Sequence, residues 1–273
     1  MKDPGNMPNV ESSPLIRVEN IVAHYDSLEV LHNLTFDVTP RAITVIMGVS
    51  GCGKSTLLKL LIGLKKPTSG NIYVDGKNLV KMSRKELDTF RKRIGVLFQG
   101  GALFNSMTVG ENIAVPLRVH TKLSEETIRI MCQLKLEMVG LAGFEDFMPS
   151  QLSGGMRKRA GLARALAMDP EILFFDEPSS GLDPITSAGL DNLILKLKSA
   201  FGMTIVVVTH ELESAFTIAD QLIVMDKGEI LAYGTPEEVK KSTNQRVRQF
   251  LERQPEEKYS KDSQFLESLL SKA

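Results

Sequence analysis

Strands alternating with helices predict an α/β fold on a parallel sheet, interrupted by a helical insert at about residues 100–155. Three observations carry that prediction. The runs "EILFFDE" (171–177) and "MTIVVVTH" (203–210) are apolar almost without a break, as strands covered on both faces are. A helical segment from Pro184 to about Ala200 separates them, which suits a parallel crossover. Earlier, "AITVIM" leads through a glycine loop into "KSTLLKLLIGL", whose leucines recur at helical spacing and stop at Gly63.

Taken in order, residues 1–14 are polar and proline-bearing, and are expected to be disordered. Short β-like runs follow: "LIRVENIVAHY", "LTFDV", "AITVIMG" and "NIYVDG". "RIGVLFQ" reads as a buried strand ending at Gln99. From 106 to 167 the pattern is helical nearly throughout, broken by Pro116, Gly140 and Pro149. "QLIVMDKGEILAYG" reads as a hairpin around Lys227-Gly228. The main domain is expected over 15–241 and a charged extension over 242–273. In that extension Val247, Phe250 and Leu251 form one apolar face, and Phe265, Leu266, Leu269 and Leu270 another. "PEEKYSKDS" between them reads as a spacer. Two readings stay open: a helix folded back on its own domain with a frayed end, or a last helix docked on a neighbouring subunit or an accessory protein.

Composition narrows the class. The chain has 273 residues, 42% hydrophobic and 24% charged, with zero formal net charge. That balance gives no global field toward nucleic acid or an anionic membrane. No apolar run approaches the ~18 residues of a membrane span. The first residues lack the apolar stretch of a signal peptide. Cys52 and Cys132 make neither a disulfide framework nor a metal site. A cytosolic protein is expected, reaching any membrane through a partner.

Gly48-Val49-Ser50-Gly51-Cys52-Gly53-Lys54-Ser55 matches the Walker A pattern, set between strand and helix. Its glycines let the backbone wrap a β-phosphate, Lys54 neutralises β/γ charge, and Ser55 can ligate Mg²⁺. Cys52 reads as a small filler, with no neighbouring base to make it a nucleophile. Asp176 and Glu177 end "ILFFDE". Where the strand turns, both can face the phosphates, Asp176 holding Mg²⁺ through its water shell and Glu177 acting as base toward the attacking water. Gln99 and His210 each end a core strand; singly they are ordinary strand-end residues, and together they flank the phosphates as sensor or water-orienting groups. Tyr25 has two readings, an adenine-stacking ring or a partly buried structural tyrosine.

"LSGGM" supplies a second anion cradle, Ser153, Gly154 and Gly155 at the start of a helix, without a lysine of its own. Two such cradles in one chain make sense if two copies share ATP, each lending its Ser153–Gly155 turn to the other's γ-phosphate. Arg157, Lys158, Arg159 and Arg164 then read as partly a solvated face and partly an electropositive surround, none assigned individually.

In this order the phosphate loop, Gln99, "LSGG", "ILFFDE", "SSGLD" and His210 resemble the nucleotide-binding subunit of an ABC transporter over about residues 15–240. The resemblance implies a P-loop NTPase (RecA-like) core with an antiparallel β subdomain and an α-helical ABC subdomain. It implies ATP and Mg²⁺, with Thr56 among the nucleotide contacts and Gln99 beside Ser55 and Asp176 as a metal ligand. It further implies Tyr25 on adenine, Ser180–Asp183 as a loop across the dimer, His210 as the switch histidine, and a groove for the permease's coupling helix on the insert after Gln99. Met156 stands where many members have glutamine and Gly181 where many have alanine; neither removes a phosphate ligand. Segments 98–124, 182–187 and 246–251 resemble the Mla-type ATPases of bacterial lipid transport. They imply a homodimer on the cytoplasmic face of the inner membrane, with a permease, an MCE-type substrate-binding protein and a small accessory protein. The implied cargo is phospholipid or a similar hydrophobic molecule.

Rival readings are an importer ATPase for small polar solutes, which shares every catalytic motif, and a soluble ABC ATPase acting on DNA or ribosomes. The latter needs a long coiled-coil insertion or two such domains, and this chain has neither, so no nucleic-acid partner is expected. A P-loop kinase leaves "LSGG" unexplained.

Overall fold

A computed structural model describes residues 13–254. Most of the 1–14 segment, and the face formed by Phe265, Leu266, Leu269 and Leu270, lie outside the described residues.

The chain opens with β1 (Ile16–Tyr25) and β2 (Leu28–Val38), paired antiparallel. Ile16 and Val18 are buried, then Ile21 and Ala23; the alternation slips at Asn20, whose φ of 50° accompanies a bulge. Next come β3 (Ile43–Gly48) and α1 (Lys54–Leu61). Strands β4 (Ser69–Val74) and β5 (Lys77–Asn78) complete a four-stranded sheet in the order β2-β1-β4-β5. Helix α2 (Arg84–Arg91) leads to β6 (Ile94–Leu97). Helices α3 (Val109–His120) and α4 (Glu125–Met138) fill most of the stretch before α5 (Gly154–Ala165). The remainder alternates: β7 (Ile172–Asp176), α6 (Pro184–Phe201), β8 (Thr204–Thr209), α7 (Leu212–Ile218) and β9 (Gln221–Asp226). It closes with β10 (Glu229–Gly234), α8 (Pro236–Lys240) and α9 (Gln245–Leu251).

The second sheet has six strands in the order β10-β9-β3-β8-β7-β6, parallel except for the antiparallel edge strand β10. Its two faces explain the unbroken apolar runs. Val45, Leu173, Phe175 and Val207 pack into one core with the helices α3 to α7. Ile46, Phe174, Val206 and Val208 pack into the other with α1 and the antiparallel sheet. Every position of β3 and β8, and of β7 up to Asp176, is therefore inside.

Some expectations change. The strand over "RIGVLFQ" stops at Leu97, short of Gln99, and as an edge strand it is only half-buried. Pro116 lies inside α3 without breaking it. Helix α2, which hydrophobic period did not announce, buries only Phe90 and is held by a capping box between Ser83 and Glu86. The hairpin at Lys227-Gly228 is present, both residues at positive φ as a tight hairpin turn requires. Helix α9 folds back on the main core, with Val247 fully buried and Phe250 and Leu251 packed beside it.

Candidate active site

The phosphate loop joins β3 to α1, and its glycines serve different ends. A Cβ at Gly48 would stand 2.1 Å from the Met225 carbonyl oxygen, so only glycine fits against β9. Gly51, at φ 81°, has nothing within 4 Å of such a Cβ: it faces the open side of the loop. At the start of α1 no side chain caps the free N–H groups and no acid sits in the first turn. Lys54, almost wholly buried, donates to the carbonyls of Gly48 (2.8 Å) and Val49 (3.0 Å), which holds its charge at the loop's centre. Helix terminus and ammonium together make an anion site. Cys52 is buried behind the loop, and burial pushes its thiol up, away from the thiolate.

Asp176 ends β7, and at Glu177 the chain turns through φ 50°, which brings both carboxylates to the same edge of the sheet. Buried Asp176 Oδ1 has no hydrogen-bond partner among the described residues. Burial and the adjacent Glu177 raise the Asp176 pKa, opposed by Lys59, Ser55 and Lys54 on α1. An orphaned carboxylate oxygen beside a serine hydroxyl is a donor set that suits a hard divalent cation such as Mg²⁺. Glu177 is held by β8: its Oε2 accepts from Thr209 Oγ1 (3.2 Å) and His210 N (3.3 Å) and lies 2.8 Å from His210 Nδ1. Glu211 Oε1 stands 3.5 Å from His210 Nε2.

A cleft of about 370 Å³ gathers Ser50, Gly51, Gly53, Lys54, Ser55, Thr56, Gln99, Glu177 and His210, with Val30 as a wall. Gly48, Val49, Cys52 and Asp176 belong to the elements that form it but do not line it. Tyr25 stands apart at the end of β1, exposed rather than buried, with Lys65 Nζ 3.1 Å from its ring centroid. Thr209 and Val30 were not anticipated; the hydroxyl next to His210 in "VVVTH" was the available signal for the first.

Ser153, Gly154 and Gly155 lie away from this cleft. Ser153 caps α5, accepting from Met156 N at 3.3 Å, and Gly154 is exposed. Gly155 is close-packed, since a Cβ there would meet Thr186 Cγ2 at 2.6 Å. Of the basic residues that follow, Arg157 is exposed, Arg159 and Arg164 are half-buried and Lys158 is buried, and each reaches a main-chain carbonyl. Arg157 donates to the Leu152 carbonyl, Arg159 to Val139, and Arg164 to Gly101 and Ala102. Lys158 is buried and donates to Pro178 (2.6 Å) and Ser180 (2.5 Å). Their charges are spent on main-chain carbonyls of their own chain. Asp183 caps α6, and the Thr186 hydroxyl and amide hold its carboxyl below the usual range.

The family model described as ABC transporter matches residues 31–180. The intermembrane phospholipid transport system ATP-binding protein MlaF of Haemophilus influenzae is 44% identical over 237 residues, which cover 87% of this chain and 90% of that one. The probable ribonucleotide transport ATP-binding protein mkl of Mycobacterium leprae is 44% identical over 236 residues, 86% of this chain and 68% of that one. Among solved structures, the dimeric post-hydrolysis state of the ATP-binding cassette MJ0796 bound to ADP and Pi matches with a TM-score of 0.75 at 32% identity. It covers 81% of this chain and 98% of that chain.

Proposed function

The chain belongs to the ABC transporter family and is the ATP-hydrolysing subunit of such a transporter; from that premise we propose that two copies close on two ATP molecules and drive a membrane permease that moves phospholipid. The observation that carries the catalytic part is the single cleft in which the phosphate loop faces Glu177, itself held by His210.

Lys54, the loop amides and the first N–H groups of α1 receive the β- and γ-phosphates. Ser55, Asp176 and Gln99 are the residues that would hold Mg²⁺, which when bound neutralises charge on the phosphate oxygens. Glu177 takes the proton of the attacking water. Its contacts to Thr209 and His210 all converge on Oε2, which leaves Oε1 as the basic edge. With Nδ1 protonated, His210 donates to that carboxylate and fixes its orientation. The Ser153–Gly155 turn of a second copy supplies N–H groups to the γ-phosphate, and Tyr25 offers adenine its uncovered face. Gln99 reports γ-phosphate occupancy to α3 and α4.

A cleft of about 500 Å³ on α3 and α4, lined by Glu111, Arg118, Glu125, Arg129 and Glu145 among others, offers the permease a polar seat. No described helix is long and apolar enough to cross a membrane, which suits a peripheral subunit on the cytoplasmic face of the inner membrane. An MCE-type binding protein and a small accessory protein complete the proposed complex. Phospholipid as cargo rests on the likeness to MlaF; a ribonucleotide is the second reading, on the likeness to mkl. The complex, purified with its permease into nanodiscs, should carry phospholipid by native mass spectrometry and hydrolyse ATP faster when phospholipid is supplied. Stimulation by ribonucleotides and not by phospholipid would select the second reading.

A further inference from the structure

We infer that Lys158 is a positioning residue for hydrolysis: from α5 its ammonium holds the turn that carries Glu177, so that the Ser153–Gly155 cradle and the carboxylate of one chain move as a unit. The inference rests on the reading of Glu177 as base and of the cradle as the other subunit's.

The turn after Glu177 needs a brace. Glu177 adopts a left-handed φ of 50°, which a side-chain-bearing residue holds only when its surroundings impose it. Pro178 brings no N–H to the turn. Among the described hydrogen bonds, the carbonyls of Pro178 and Ser180 meet only Lys158 Nζ, and the Glu177 carbonyl lies 3.4 Å from the same nitrogen. An ammonium has three N–H donors, so these three carbonyls exhaust it. Lys158 is 5% exposed and has no ion pair within 4.0 Å among the described residues. A buried cation that meets carbonyls and no carboxylate is costly, and the hydrogen bonds to this turn are what offset that cost. Two carbonyls of the turn therefore depend on one side chain that starts on the helix the cradle opens, and a third, that of Glu177, shares it with the Ser180 amide. A pull on Ser153–Gly155 by the γ-phosphate of one site reaches the base of the other.

The test is the ATPase activity of the assembled transporter, with the fraction of folded sites counted by nucleotide binding. Lys158→Met keeps the chain length and removes the donors. It should lower kcat per folded site by about 10- to 100-fold, the scale of a misplacement near 1 Å. KM for ATP should stay within about twofold, because the phosphate loop is untouched. Lys158→Arg, which can donate to the same carbonyls, should recover most of the loss. In a Glu177→Gln background, Lys158→Met should reduce residual hydrolysis no further. An equal loss in both backgrounds, an unchanged kcat, or a rise in KM matching the fall in kcat would each overturn the inference. Should Lys158→Met not fold, Lys158→Gln carries the same expectations in the same two backgrounds. Normal hydrolysis by Glu177→Gln alone would instead remove the reading of Glu177 as base.

Discussion

Glu177, the proposed base, shows how much a carboxylate's placement owes to groups other than its own side chain. Its left-handed backbone turns the carboxylate toward the cleft, and β8 pins one oxygen through Thr209 and His210. Replacing it with glutamine keeps the shape and removes the base. Turnover should fall by roughly 10²–10⁴ while ATP still binds, read by steady-state hydrolysis beside equilibrium nucleotide binding. The loop glycines predict a contrast. Gly48→Ala drives a Cβ into the Met225 carbonyl and should lower the melting temperature sharply. Gly51→Ala meets no neighbour and costs only left-handed strain of about 1–2 kcal/mol, so its main effect should be on ATP affinity. Calorimetry of both variants separates the two effects; equal melting temperatures would contradict the assignment. The gathering of Lys54, Ser55 and Glu177 at one cleft was legible from sequence, because motif spacing sets which edge of the sheet each reaches. The cations of α5 were not. A sequence displays charge, but the carbonyls that absorb it come from residues such as Val139 and Pro178, remote along the chain or around a turn.

Among the elements, legibility followed burial on both faces. Strands β3, β7 and β8 announce themselves because each face meets a separate core. Helix α2 buries Phe90 alone, so its period is faint, and the Ser83/Glu86 capping box was the sign to follow. Helix α9 is anchored by Val247 at 0% exposure. Val247→Ala should cost roughly 1.5–3 kcal/mol of stability, from the lost methyl groups and the cavity they leave, with a matching fall in melting temperature. A melting temperature equal to the parent's would mean that α9 is not seated on the core. Helices α6 and α7 meet over a buried carboxylate, Asp191, which accepts from the Ser214 hydroxyl. Burial raises its pKa above the ordinary aspartate value. An acid raised in the folded state binds its proton more tightly folded than unfolded, so stability falls as pH rises through that window. Asp191→Asn should therefore melt higher than the parent at pH 7, with the advantage shrinking toward about pH 4. A constant difference across that range would contradict a titrating Asp191.

At the scale of the molecule, the strand order sets the chemistry. Strand β8 lies between β3 and β7, so His210 stands between the phosphate loop and Glu177, and β6 brings Gln99 to the far side of β7. The Ser153–Gly155 turn is left out of its own chain's cleft, an arrangement that asks for a second copy related by a twofold axis. A dimer of Lys54→Ala and Ser153→Arg subunits isolates that claim. If the turn acts across the interface, one site of the mixed dimer carries both lesions and the other carries none. Calorimetric titration with ATP, on mixed dimers separated by two different affinity tags, is then expected to find one site of parental affinity per dimer. Two equally impaired sites, with none of parental affinity, would contradict a shared site and confine the turn to its own chain.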